Sequence, residues 1–301
     1  MNPFLALTGP TAVGKTDLAL EIAERLGADI LSVDSRQIYR GLDIGTAKPT
    51  AKQRARVPHH FVDERDIASP INAGQFAQEA NERIDSILTR GRVPLAVGGS
   101  TLYLTALVHG LAELPPVPED IATSVAEQAS TPEGRDALFN ELAKADPRAA
   151  ATLDASKTHR LMRLMGVLRA TQRPPSEAWD TAPQPRHPFR AVVLDRPRDV
   201  LYQRIEQRVD AMLADGLVEE NRRLKEQGVA RDSGPMRTIG YQEPQAFLAG
   251  ELSEARMVEL LKRNTRWYAK RQLTWFRRYP DYVWLDAETA SADDVLAVLT
   301  R

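Results

Sequence analysis

Residues Gly9-Pro10-Thr11-Ala12-Val13-Gly14-Lys15-Thr16 spell G-x-x-x-x-G-K-[ST], a phosphate-binding loop. The two glycines let the backbone curl until successive N–H groups point at phosphate oxygens. Lys15 adds a mobile positive charge, and the Thr16 hydroxyl is of the type that ligates Mg²⁺. A helix starting here brings its positive end to the same anion. The loop is common to nucleotide- and ATP-binding proteins, and alone it leaves open whether the anion is a nucleotide or another diphosphate. Asp34 has three chemical readings: general base, magnesium ligand or helix cap. Arg204 and Arg208 stand one helical turn apart, and two guanidiniums so placed can grip a phosphate. Ion pairing with Glu206 or Asp210 is the competing reading. His59-His60 lacks a third ligand at suitable spacing, so a structural or substrate-contact role is expected there rather than a metal site.

The elements that must hold these groups follow from pattern. Phe4–Thr8 is a short apolar run suited to a buried parallel strand. After the loop, Leu18, Ala19, Ile22, Ala23 and Leu26 recur at helical spacing, and Gly27 supplies a stop. A second strand, Ile30–Val33, ends at Asp34-Ser35, and a third, Val93–Val97, ends at Gly98-Gly99-Ser100. In an open parallel sheet such strand ends border the ligand crevice. A helix is expected from near Asn72 to Leu88. Pro115-Pro116-Val117-Pro118 marks one boundary, and Pro174, Pro175, Pro183, Pro185 and Pro188 mark another. Strand Ala191–Leu194 then resumes the α/β pattern, with helices around Leu201–Leu213 and Glu254–Arg277 and a last strand at Tyr282–Leu285. The expectation is an α/β fold: a P-loop NTPase-like parallel sheet core from 1–113 and 189–301, with a helical insertion at 114–188.

Composition bounds the rest. The chain has 301 residues, a net charge of −1 and no cysteine, which excludes disulfides and cysteine-ligated zinc. The phosphate loop comes too early for a signal peptide, and no apolar run reaches membrane-spanning length. A cytoplasmic monomer with no membrane partner is the expectation. Charge is unevenly spread. Arg256 to Arg278 carries eight basic residues against one acid, and Ser156 to Arg173 carries five and none. In the first of these, Arg263, Arg266, Lys270 and Arg277 read as a basic stripe interleaved with Trp267, Tyr268, Trp275 and Phe276. Cations beside aromatics fit nucleic acid; solvated helix faces and core aromatics are the alternative.

Longer runs then identify a family. Asp34-Ser35-Arg36-Gln37-Ile38-Tyr39-Arg40-Gly41, Asp43–Pro49, Pro58-His59-His60, Val97-Gly98-Gly99, Leu102-Tyr103, Arg237–Tyr241 and Ala269–Trp275 follow the phosphate loop in order. With them the chain resembles the tRNA dimethylallyltransferase (tRNA isopentenyltransferase) family along nearly its whole length. The resemblance implies transfer of a dimethylallyl group from dimethylallyl diphosphate to N6 of the adenine 3′-adjacent to the anticodon. It implies Asp34 as general base, with Ser100 and Arg208 also catalytic, Gly9–Thr16 on the diphosphate, and Mg²⁺ on Thr16. Contacts to the tRNA anticodon stem-loop map to Asp34, Ser35, Arg36 and Gln37, to His159, Arg160, Leu161, Met162 and Arg163, and to Arg237, Thr238, Ile239, Gly240, Tyr241 and Gln242. Three departures stand out. Ser100 replaces the usual threonine of Gly-Gly-Thr, Ser156-Lys157-Thr158-His159-Arg160 replaces Asn-Asp-x-x-Arg, and no arginine lies between Arg92 and Arg135. A small-molecule kinase, a free-adenylate isopentenyltransferase and a non-catalytic RNA-binding protein are the rival readings.

Overall fold

The computed structural model describes residues 3–112, 114–154, 157–181 and 185–300; Ser156 and Pro183 lie outside them. Two compact units divide the chain, one of residues 1–108 with 185–301 and one of residues 109–184.

In the first unit the chain runs β1 (Phe4–Thr8), α1 (Lys15–Leu26), β2 (Ala28–Val33), α2 (Ala51–Arg54), β3 (His59–His60), α3 (Ala73–Thr89), β4 (Val93–Gly98) and α4 (Thr101–His109). The strands form one six-stranded sheet of order β3-β2-β4-β1-β5-β6, the last two being Phe189–Asp195 and Val283–Asp286. Every pair is parallel. β1 is wholly buried between β4 and β5, which explains its unbroken apolar sequence. Its core neighbours include Leu20, Ile22, Leu95, Val192 and Leu194. α1 ends where Gly27 turns left-handed at φ 60°, and its N–H donates to the Ala23 and Glu24 carbonyls. α3 begins with a reciprocal capping box between Asn72 and Gln75. Among the described residues no helix is long and apolar enough to cross a membrane.

The second unit is helical: α5 (Glu119–Gln128), α6 (Pro132–Ala145), α7 (Pro147–Ala150), α8 (Thr158–Thr171) and a 3₁₀ turn at Pro175–Thr181. Its core is built from Val125, Leu138, Leu142, Leu164 and Met165. Pro132 at the first turn and Thr131 accepting from the Gly134 N–H start α6.

After β5 the first unit resumes with α9 (Arg198–Ala214), α10 (Leu217–Glu226), α11 (Gln242–Leu248) and α12 (Glu254–Phe276), and closes with β6 and α13 (Ala292–Leu299). Sequence pattern missed α2, α4, α10, α11, α13 and the two-residue strand β3. Two of the four buried positions of α10 are the polar Glu220 and Asn221, which hide its apolar stripe. A strand as short as His59–His60 shows no alternation to read.

Candidate active site

The phosphate loop leaves β1 at Gly9, whose φ is 142°. A Cβ there would lie 2.5 Å from the Leu194 carbonyl oxygen, so only glycine lets the loop start this close to β5. The loop then borders a cavity of about 470 Å³ at the C-terminal ends of β1, β2 and β4. Thr11, Ala12, Gly14, Lys15 and Thr16 share its wall with Asp34, Gln37, Gly98, Gly99, Arg204, Arg208, Tyr268 and Gln272.

Asp34 directly follows β2. Its Oδ1 accepts from the N–H of Arg36 at 2.8 Å and of Gln37 at 3.2 Å. This turn fixes the carboxylate and leaves Oδ2 without a protein partner among the described residues. On the loop side, the Lys15 ammonium donates to the carbonyls of Gly9 at 2.9 Å and Pro10 at 2.8 Å. Desolvation pushes its pKa down to about 7, Arg208 pushes the same way, and Asp34 opposes them. Desolvation also lowers Arg208, against Asp34 and with Arg204. A crowded set of cations under-supplied with counter-charge is a site that gains by taking an anion.

Arginines also brace the loop from behind. Arg204 Nε donates to the Ala12 carbonyl at 2.9 Å, and Arg196 Nε to that of Val13 at 2.8 Å. Arg208 reaches the Thr11 hydroxyl at 3.4 Å. The alternative ion pairs do not form within α9: Glu206 pairs with Arg266 and Asp210 with Lys262, both on α12. Gln272, which sequence reasoning passed over, accepts from the Thr11 N–H at 2.9 Å and donates to the Gly99 carbonyl at 2.7 Å. It ties the loop to the end of β4. His59 also lines the cavity, with Nδ1 2.9 Å from the Val57 carbonyl. Desolvation lowers its pKa.

The other sequence-derived residues separate into groups. Ser100 is buried, its N–H donates to the Val33 carbonyl at 3.1 Å, and Gly98 and Gly99 rather than Ser100 form the cavity wall. Ser35, Arg36, Thr238, Ile239 and Gly240 join Asp34 around an adjoining cavity of about 270 Å³. Val209, Met212, Leu217 and Leu261 give it an apolar side. The Tyr241 ring is buried and its hydroxyl donates to Glu220 at 2.6 Å. Buried Glu220 also accepts from the N–H groups of Asp43, Ile44 and Gly45, and so anchors the loop that carries Thr46 and Ala47 to the cavities. It carries no sequence signal, being one of three glutamates, Glu219, Glu220 and Glu226, in a charged helix. Arg237 and Gln242 are exposed and line a separate depression with Gln245. In the helical unit His159, Arg160 and Arg163 are exposed on α8, whereas Leu161 and Met162 pack into that unit's core.

The basic stripe read along α12 divides. Lys262 and Arg266 are neutralised by α9 carboxylates, and Arg277 lies 3.8 Å from Asp195. Phe276 is core, Tyr268 lines both cavities, and Trp275 packs on Phe276 and Tyr279. The α9 partners are remote in sequence, which is why spacing alone drew the stripe too wide.

A phosphate loop at the head of a parallel sheet, facing a fixed carboxylate, defines a P-loop α/β enzyme that handles phosphorylated substrates. A family model described as IPP transferase matches residues 37–279. The tRNA dimethylallyltransferase of Salinibacter ruber is 49% identical over 99% of this chain and 92% of its own length. That of Thermotoga petrophila is 44% identical over 97% and 95%. Among solved structures, the tRNA isopentenylpyrophosphate transferase of Bacillus halodurans superposes with a TM-score of 0.72 at 36% identity, covering 99% of this chain and 94% of that one. A eukaryotic dimethylallyltransferase captured acting on tRNA gives 0.82 at 26% identity, covering 99% and 78%. The chain belongs to the IPP transferase family, that of the tRNA dimethylallyltransferases, and is an enzyme.

Proposed function

We propose that the protein transfers a dimethylallyl group from dimethylallyl diphosphate to N6 of the adenine 3′-adjacent to the anticodon in tRNA. The products are N6-isopentenyladenosine in tRNA and pyrophosphate. The observation that carries this reading is that the phosphate loop and the fixed carboxylate of Asp34 face the same cavity of about 470 Å³.

In this scheme the diphosphate lies along the loop N–H groups, with Lys15 and Arg208 offsetting the charge that grows on the leaving oxygen. The N6 lone pair forms the bond to the allylic carbon as the carbon–oxygen bond breaks and its electrons leave with pyrophosphate. Asp34 Oδ2 accepts the N6 proton, a contribution of ~10²–10⁴ in rate for a positioned base. Ser100, directly after the wall residues Gly98 and Gly99, would donate its hydroxyl to the bridging oxygen. The Thr16 hydroxyl, on the cavity wall beside Lys15, would be the protein ligand for Mg²⁺, and the ion would supply charge neutralisation at the diphosphate.

To reach this cavity the adenine leaves the anticodon-loop stack. Residues 35–37, 159–163 and 237–242 supply the grip on the stem-loop, by shape and phosphate charge. One chain carries every group named, so a monomer suffices.

The test is transfer of radiolabelled dimethylallyl diphosphate, with Mg²⁺, to unmodified bulk tRNA and separately to AMP. Label in tRNA that digests to isopentenyladenosine, with none in AMP, is the expected result. Label in AMP alone moves the substrate to the free nucleotide, and label in neither refutes prenyl transfer.

A further inference from the structure

Trp267 is 52% exposed, an unusual state for the residue type with the most apolar surface to hide. It sits on α12 one residue before Tyr268, which lines both cavities. The cavity-facing side of this helix is Leu261, Thr265, Tyr268 and Gln272, at spacings of three and four. Arg263, Trp267, Lys270 and Arg271 recur at three- and four-residue spacings on another face, with Trp267 turned by about 100° or more from the cavity side.

The cations of that face differ from the rest of the helix. Arg256, Lys262 and Arg266 each hold a carboxylate. Among the described residues, the exposed Lys270 and Arg271 hold none, and Arg263 acts only at longer range on Glu259, which Arg256 already holds. The Arg263 guanidinium lies over the Trp267 ring at 4.7 Å from its centroid, and its only hydrogen bonds are long ones to Asn264. One face of the indole is therefore covered by a cation and orders the ring, while the exposed half is left for another flat group. Arg271 lies against the Tyr268 ring at 5.8 Å, beside the cavity.

We infer that Trp267 is a stacking platform for an unpaired tRNA nucleotide flanking the target adenine, with Lys270 and Arg271 on its phosphates. The inference rests on tRNA being the substrate. An aromatic face takes any base, and the cations around it, Lys270 and Arg271 without a carboxylate among the described residues, match a polyanion and oppose an apolar partner. Trp267 lies about 100° round the helix from Tyr268, so a nucleotide stacked there is one flanking the adenine rather than the adenine itself, and the cost of unstacking the adenine is partly offset by this stacking. Trp267 thus acts on tRNA affinity rather than on the reacting atoms.

The experiment compares wild type, Trp267→Ala and Trp267→Phe with an anticodon stem-loop and with variants carrying one abasic site at each unpaired position beside the target. Alanine weakens stem-loop binding about 5- to 150-fold, the range for loss of one stacked base, and phenylalanine restores most of it. Pyrophosphate binding and kcat at saturating stem-loop stay within about twofold in both variants. At one flanking position the abasic site weakens wild type but adds nothing to Trp267→Ala, since both changes remove the same contact. Unchanged binding by Trp267→Ala, or losses that add at every position, overturns the proposal. Transfer by wild type to intact tRNA, measured alongside, separates this failure from failure of the substrate reading.

Discussion

At the phosphate loop, Lys15 and Arg204 donate to backbone carbonyls of the loop itself, as does Arg196, which also pairs with Glu288. In the helical unit, Arg148, Lys157, Arg169 and Arg173 instead pair with carboxylates at the surface. A guanidinium on a carbonyl keeps its whole charge and gains a fixed position, whereas one on a carboxylate is largely neutralised. The five cations between residues 156 and 173 therefore shrink to two that face no acid among the described residues. These are Arg160, which has no ion pair, and Arg163, which donates to the carbonyls of Leu114 and Pro115 at 3.0 Å. Net charge counted along a chain measures supply; what remains for a ligand is set by which partners the fold brings.

The largest expected effect tests whether the two regions stand apart. Leu138 is fully buried among Leu142, Leu164 and Met165, and Leu138→Ala should destabilise the helical unit by ~2–5 kcal/mol. Urea unfolding should show this loss while pyrophosphate binding at the loop persists.

The second effect is a pH dependence confined to the loop. With Lys15 at about 7, the amine is already protonated below that pH and binds an anion without taking up a proton. Above it, the anion pulls a proton onto Lys15, so affinity falls by up to about tenfold per pH unit. Lys15→Arg stays charged and removes one proton from that slope. Calorimetric titration of pyrophosphate from pH 6 to 9 on both proteins isolates the difference, because the ligand's own titration is common to both.

Smaller effects sharpen the contrast within the helical unit. Arg160→Ala should weaken tRNA binding across sequences and lower the slope of log K against log salt by about one, with diphosphate binding unchanged. Arg169→Ala, which removes a guanidinium already spent on Glu141, should cost at most ~1 kcal/mol of stability and leave the salt slope as it was. Equal slopes for the two variants would erase the distinction between paired and free cations.

Much of this was readable before any coordinates. The run Phe4–Thr8, the glycine pattern and the helix to Leu26 determine a strand, a loop and a helix with little tertiary help, because local apolar spacing and turn chemistry agree there. Asp34 was legible for the same reason: it ends a strand beside the loop in a parallel sheet. Gln272 was not, since a glutamine in a basic helix reads as surface until the fold brings it to Thr11, 261 positions away. Glu220 was hidden likewise, its acceptors being filled by backbone N–H groups of Asp43–Gly45 that no helical spacing reveals. Ser100 has the right chemistry and sits directly after Gly98 and Gly99 of the cavity wall. Local order is written in neighbouring residues, while long-range polar clamps become visible only once distant segments meet.

The central claim is that the Asp34 carboxylate takes the N6 proton while other groups hold the substrates. Asp34→Asn keeps a side-chain oxygen able to accept from the Arg36 and Gln37 N–H groups, so the turn survives the change. Single-turnover transfer to tRNA by this variant, with tRNA and pyrophosphate affinities measured on the same preparation, is the direct test. The account requires a rate loss of ~10²–10⁴ with both affinities within a few-fold of wild type. Transfer near the wild-type rate, or a loss explained wholly by weaker binding of either substrate, would contradict it.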